Sequence, residues 1–253
     1  MKLHSRILGT TGQPIIILHG LFGTSDNWQT LAKEFAKNYI VYLVDARNHG
    51  HSAHVDEINY LAMANDVREL ILHEKIEKPI IIGHSMGGKT AMFFAQQFPN
   101  LIDKLIVVDM GVKKYAPHHQ QIFDALNAVD LNVVNTRKEA EKIISSYIHE
   151  TSTIQFLLKN LYWIQEGKLA WRMNLPVIIN QINNILVEVP STKCKVETLF
   201  IRGEKSTYIL DEDWNGIQEI FGNSKLETID GAGHWVHAEA PEKFYTIVKG
   251  FIS

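Results

Sequence analysis

The stretch Pro79–Pro99, read as P-IIIGHSMGGKTAMFFAQQF-P, constrains this chain more than any other. Ile80 to Ile82 is a β-branched run of strand length. Five residues, Gly83-His84-Ser85-Met86-Gly87, then make a tight turn. From Met86 onward Ala91, Phe94, Ala95 and Phe98 recur at helical spacing, and Pro99 lies just beyond the predicted helix end. The turn matches G-x-S-x-G, in which a serine occupies a sharp strand-to-helix corner. That corner needs a backbone conformation most residues avoid. Positions 83 and 87 must be small, because strand and helix backbones converge there. A serine so placed offers its Oγ at a helix N-terminus, where backbone N–H groups can bind an anion. The same letters satisfy a second pattern: Gly83 to Thr90 spells G-x-x-x-x-G-K-T, the phosphate-binding P-loop, with Lys89 and Thr90 as its functional pair.

The rest of the chain supplies the context for choosing between them. Leu3–Leu8, Pro14–Leu18, Tyr39–Val44 and Leu105–Val108 read as further strands, separated by amphipathic helices such as Tyr60–His73. This alternation predicts a parallel sheet with helices on both faces and a ligand site at the C-terminal strand ends. His19, Asp45, Ser85 and Asp109 all fall at such ends. The alternation stops at Gly111. Residues 112–190 show helical periodicity with large apolar faces, with helices expected at 117–129, 136–149, 151–162 and 174–187. Strands at Thr198–Ile201 and Leu226–Ile229 and a closing helix at Pro241–Ile252 complete the pattern. The predicted organisation is therefore an α/β core over 1–111 and 191–253, with a helical cap inserted at 112–190.

At 253 residues the chain fits one domain, with or without such an insertion. A net charge of -3 gives no reason to expect nucleic acid as a partner. The single cysteine, Cys194, excludes an intrachain disulfide and any cysteine-rich metal site. The N-terminal MKLHSRILGT lacks the apolar core of a signal peptide, and no apolar run reaches the roughly 18 residues of a membrane span. A cytoplasmic protein without a membrane span is the expectation. Oligomeric state is not legible.

A nucleophilic serine needs a general base, an acid to orient that base, and a backbone N–H pair for an oxyanion. On this fold the order is serine, then acid, then histidine. His234 comes late, on the glycine-flanked loop Gly231-Ala-Gly-His, and Asp109 lies between it and Ser85. The turn at His19-Gly20 puts the N–H of Leu21 beside the strand end, as a partner to the N–H of Met86. The P-loop reading also finds support, since Leu105–Asp109 resembles a strand whose aspartate would hold Mg²⁺. It leaves His19-Gly20 and His234 without a role, and the joint pattern favours the serine chemistry.

These residues carry a resemblance. His19-Gly-Leu-Phe-Gly23, Asp45-Ala-Arg-Asn-His-Gly-His-Ser52, Gly83–Gly88, Val108-Asp109, Phe200–Ser206 and Gly233-His234 together resemble the α/β-hydrolase superfamily along nearly the whole chain. The Arg-Asn-His-Gly and Gly-Glu-Lys-Ser variants are similar to YbfF-type bacterial esterases and their abhydrolase-domain relatives. The resemblance implies an α/β-hydrolase fold with a mostly parallel twisted sheet, and a serine carboxylesterase or thioesterase acting on small-molecule esters without metal or cofactor. One departure matters. Most superfamily members carry the triad acid on the loop after the strand at 198–202, where this chain has Ser206. The subgroup resemblance implies that Asp109 is the acid, with Glu204 and Asp211 as rivals. Other superfamily chemistries, such as C–C hydrolysis and lyase reactions, and a binding-only role stay open, because fold does not fix reaction.

Several residues have a plain and a sharp reading. Phe22, Trp163 and Trp235 are candidates for a substrate pocket, with an apolar acyl or alcohol portion expected from the cap's composition. Trp28 and Trp171 are weaker candidates of the same kind, since aromatics more often build cores. His49, His51 and His54 suggest a metal, but a hydrogen-bonded polar turn held by Asp45 and Arg47 is favoured. His84 is expected to pack beneath the site and His237 at the surface or in packing. Lys89 is expected to be solvated.

Overall fold

The central sheet of the computed structural model, which describes residues 1–253, is built from the most aliphatic runs of the chain. In chain order the elements are β1 (Ser5–Leu8), β2 (Pro14–Leu18), α1 (Gln29–Phe35), β3 (Ile40–Val44), α2 (Tyr60–His73), β4 (Ile80–His84), α3 (Met86–Gln97) and β5 (Lys104–Val108). Then come α4 (Gln120–Asn127), α5 (Arg137–Ile144), α6 (Thr151–Leu158), β6 (Leu161–Gln165), β7 (Lys168–Trp171) and α7 (Leu175–Asn180). The chain ends with β8 (Glu197–Gly203), α8 (Trp214–Ile220), β9 (Ser224–Ile229), α9 (Val236–Glu239) and α10 (Pro241–Ile252).

Seven strands form one sheet in the order β1-β3-β2-β4-β5-β8-β9. Every pairing is parallel except β1 with β3, where Ser5 faces Val44 at the edge. β4 lies at the centre, Ile82 aligned with Ile17 on one side and Ile106 on the other. Both sheet faces are covered, so these strands are continuously apolar rather than alternating. The pleat still divides their side chains. Ile15, Ile17, Ile80, Ile82, Ile106 and Val108 pack against Trp28, Phe35, Phe244 and Val248 on one face. Ile16, Ile81, Leu105 and Val107 pack on the other against α2, α3 and residues of the 112–190 segment.

That segment departs from the all-helical expectation. Helices do stand at α4, α5, α6 and α7, the second opened by a capping box between Thr136 and Glu139. But the expected helix 151–162 ends at Leu158, and Leu161–Gln165 pairs antiparallel with Lys168–Trp171 as a hairpin. The physical reason lies in the residues. Leu-Tyr-Trp-Ile is a β-favouring run, and Gly167 supplies the positive φ of +72° at the tip. The helix expected over 174–187 is likewise shorter, ending at Asn180 and followed by a single 3₁₀ turn at Ile182–Asn184. No helix of the chain is long and apolar enough to cross a membrane.

Candidate active site

The corner after β4 is as tight as its glycines require. Ser85 has φ 52° and ψ -116°, and its N–H donates to the carbonyl of Val108 on the neighbouring strand at 3.0 Å. A Cβ on Gly83 would lie 2.2 Å from the Gly87 carbonyl oxygen, and one on Gly87 2.3 Å from that of Leu18. Neither position tolerates a side chain. The corner lifts Ser85 into the wall of a cavity of about 940 Å³, which His234, Leu21, Phe22, Trp28 and Trp235 also line.

His234 and Asp109 meet directly. The imidazole Nδ1 lies 2.7 Å from Asp109 Oδ2. A carboxylate only accepts, so Nδ1 carries the proton and Nε2 keeps its lone pair. Asp109 is fully buried, with φ 48°, and its other bonds come from the Gly203 N–H at 3.1 Å and the Ser206 hydroxyl. Ser206, standing where the superfamily's acid is expected, thus donates to the aspartate across the cleft. The rivals are engaged elsewhere: Glu204 accepts from Gly231 N–H at 2.8 Å, and Asp211 pairs with Arg202 at 2.5 Å on the surface. Tyr208 stacks on the His234 ring, centroids 4.0 Å apart and planes 16° from parallel. Burial pushes its phenol up to about 12, so it stays neutral, and its hydroxyl pairs with His118 Nε2 at 2.8 Å. Beneath the site, His84 Nε2 lies 2.9 Å from the His234 carbonyl oxygen, and burial holds its imidazole well below the usual range.

In the His19–Gly23 turn two backbone donors are engaged. Phe22 N–H donates to His49 Nε2 at 3.2 Å, and Gly23 N–H to the Gly20 carbonyl at 2.9 Å. Leu21 N–H bonds to no protein acceptor. Met86 opens α3, so its N–H is one of the orphan donors every helix start leaves. His19 locks the turn by accepting from Ala46 N–H at 3.0 Å, and Asn160 ties the 112–190 segment to it through the Phe22 carbonyl at 2.8 Å.

Other expectations sort by burial. Phe22 and Trp235 line the cavity, as does Trp28. Trp163 does not: it is 47% exposed on the outer hairpin. On the strand its side chain points away from the cavity. Trp171, on β7, also stays outside. Phe156, Leu157 and Ile122 are the apolar part of the cavity wall from 112–190, beside polar Ser152, Gln155 and Lys159. Other apolar side chains of the segment, among them Phe123, Ile144 and Ile178, are buried in the core instead. The pocket is therefore more polar than the apolar composition suggests.

Lys89 is a correction. It is fully buried, not solvated, and its ammonium donates to the carbonyls of Lys113 at 2.8 Å and Val187, the two ends of the inserted segment. Desolvation lowers it to about 7. Its amine is thus spent on carbonyls rather than offered to a phosphate, and Asp109 is spent on His234. His237 is buried rather than superficial, stacked flat on Trp28 at 4.0 Å. His49, His51 and His54 make hydrogen bonds within the polar turn and to Arg172. Asp45 accepts from Ser25 and His51 N–H, while Arg47 bonds Asp66 at 2.7 Å. Tyr208 and His118 carried no motif, and only their place in the fold brings them to the site; Ser206 stood in the Gly-Glu-Lys-Ser stretch, but its bond to Asp109 emerges only from the fold.

A parallel sheet with a positive-φ serine at its central corner, and a late histidine held by a buried aspartate, is the architecture of the α/β-hydrolase fold. The family model for that fold matches residues 13–241, and the chain belongs to this family. It is 35% identical to Esterase YbfF of Escherichia coli over the full length of both chains. It is 35% identical to the mouse sn-1-specific diacylglycerol lipase ABHD11, covering 94% of this chain and 80% of that one. A solved marine microorganism esterase superposes with a TM-score of 0.97 at 42% identity, covering 99% of each chain.

Proposed function

We propose that the protein is a carboxylic ester hydrolase that works through an acyl-enzyme on Ser85. The observation that carries the reading is the 2.7 Å contact between His234 and the buried Asp109, with Ser85 on the same cavity wall. The esterase relatives matched over 99% or more of both chains, and a lipase relative of which this chain covers 80%, support the reaction class. His234 Nε2 takes the Ser85 proton as Oγ bonds to the substrate carbonyl carbon. Asp109 fixes the tautomer and stabilises the imidazolium; Ser206 and Gly203 hold the aspartate in turn. The tetrahedral oxyanion binds the N–H groups of Leu21 and Met86, each worth about 3 kcal/mol in comparable sites. Collapse breaks the bond to the leaving group, which His234 protonates. Water, deprotonated by the same imidazole, then attacks the acyl-enzyme carbonyl; collapse breaks the bond to Ser85 Oγ, which His234 reprotonates, and the acid leaves.

Residues 112–190 act as a lid on a core of 1–111 and 191–253, with Lys89 holding both ends of the lid. Phe22 and Trp235 line the substrate pocket. The chemistry suits oxygen esters and thioesters alike. A chain-length series of p-nitrophenyl esters and acyl-CoA thioesters, run on wild type and Ser85→Ala, tests the reading and ranks the two. Ser85→Ala should fold normally and lose turnover; retained turnover refutes Ser85 as the nucleophile.

A further inference from the structure

The cavity wall contains several titratable rings that the mechanism does not use, and His119 is one whose nitrogens make no hydrogen bond within the protein. His119 stands at the start of α4, in the segment that covers the site, and lines the same cavity as Ser85 and His234. Its ring is fixed by neighbours: His118 at 4.0 Å, Phe123 at 6.0 Å and Phe22, edge-on, at 6.3 Å between centroids. Neither ring nitrogen finds a hydrogen-bond partner in the protein, and Nδ1 is sealed from solvent as well. Burial, with His118 and His234 nearby, lowers the imidazole to about 4, so the ring is neutral at physiological pH.

A neutral imidazole carries one proton and must choose a nitrogen for it. A buried N–H without an acceptor is rarer and costlier than an unfilled lone pair. The proton therefore belongs on Nε2, and Nε2 is the atom through which His119 can meet a ligand. The carboxylates on the same wall do not compete for it: Glu150 accepts from the Thr153 hydroxyl, and Glu239 from the N–H groups of Gly233 and Trp235.

We infer that His119 is a specificity residue whose Nε2–H reads a hydrogen-bond acceptor on the substrate, so that the preferred esters carry an ether, keto or hydroxyl oxygen in one arm rather than a plain alkyl chain. A site that leaves a polar group unpaired with the wrong substrate discriminates more sharply than an apolar pocket that merely gains or loses a methylene. The inference rests on the esterase reading and concerns which ester is chosen, not how it is cleaved.

The test walks a single ether oxygen along the ester. One series of p-nitrophenyl esters replaces successive acyl methylenes by oxygen; a second does the same in the alcohol arm of acetate esters. The readout is the ratio of kcat/KM for each oxa ester to that for its alkyl partner, taken within each enzyme so that folding yield cancels. Intrinsic reactivity cancels when the ratio is compared between enzymes. At one position or more the wild-type ratio should exceed that of His119→Phe by about tenfold, the worth of one hydrogen bond. His119→Gln, whose amide N–H can reach the same point, should keep most of the preference. A ratio that is the same in wild type and His119→Phe at every position of both series overturns the inference. Loss of all turnover in Ser85→Ala, measured alongside, shows that the esterase reading stands even then; turnover retained in Ser85→Ala would sink that reading instead.

Discussion

Ser85 owes its place on the cavity wall to a backbone it could not choose alone. Its φ of 52° is costly for a residue with a side chain, and the bonds around it, Ser85 N–H to Val108 and Lys89 N–H to the Ser85 carbonyl, hold it there. The glycines at 83 and 87 make this possible by contact distance. Gly87→Ala places a methyl 2.3 Å from backbone oxygen. It should lower the urea midpoint strongly or prevent folding, unlike an ordinary surface alanine change. Asp109 also has a positive φ, 48°. Asp109→Asn keeps the shape but lets an amide N–H face Nδ1, forcing the wrong tautomer on His234. We expect kcat to fall by about 10⁴, by analogy with the same exchange in a serine protease, while circular dichroism melting changes little. Rates within tenfold of wild type would refute Asp109 as the orienting acid. Ser85, His234 and Asp109 were legible because each sits in a motif or at a strand end. The role of Ser206, visible in sequence only as the residue at the usual acid position, and the place of Tyr208 were not, because a serine that bonds the aspartate and a tyrosine that stacks on the histidine have no spacing rule to betray them.

At the scale of elements, α3 does more than follow Ser85 at the corner. Lys89 joins it to both ends of the inserted segment, through carbonyls 74 residues apart in sequence (113 and 187). The sign of its pH effect follows from its lowered pKa. The unfolded lysine holds a proton up to about 10.5 and the folded one only up to about 7. Between those values the unfolded state binds more protons, so this group makes stability rise with pH and adds nothing to the slope below 7. Lys89→Met should flatten the urea midpoint against pH between 7 and 10; an unchanged slope would mean the ammonium is solvated after all. The β6–β7 hairpin gives the opposite expectation. Trp163 is exposed and outside the cavity, so Trp163→Ser should change stability by less than about 0.5 kcal/mol and leave ester turnover within twofold. The hairpin escaped a periodic reading because Leu161–Trp171 is short, aromatic and flanked by helices, where the periods of 2 and 3.6 both fit a few residues.

For the whole molecule, buried neutral histidines set the acid limit. His49 and His237 are each lowered to about 3, both by burial first. Folded, they stay uncharged while the unfolded chain protonates them below 6.5. Their contribution is fully present above that value and is lost as pH falls toward 3, at about 1.4 kcal/mol per pH unit for each group. The melting temperature should therefore drop steeply from pH 6 to 4, and His237→Phe, which can still stack on Trp28, should soften the fall. An identical acid profile in that variant would contradict the assignment.

Local chemistry determined the sheet, the corner and the serine–acid–histidine order, because strand composition, glycine spacing and turn residues act over a few neighbouring positions. Tertiary structure decided between Asp109 and its rivals for the contact with His234, and it alone decided that Lys89 is buried and which residues of 112–190 face the cavity. Those outcomes depend on contacts between segments separated by tens to more than a hundred residues, as in the 125-residue gap between Asp109 and His234. No local pattern encodes such a distance; packing the whole chain sets it.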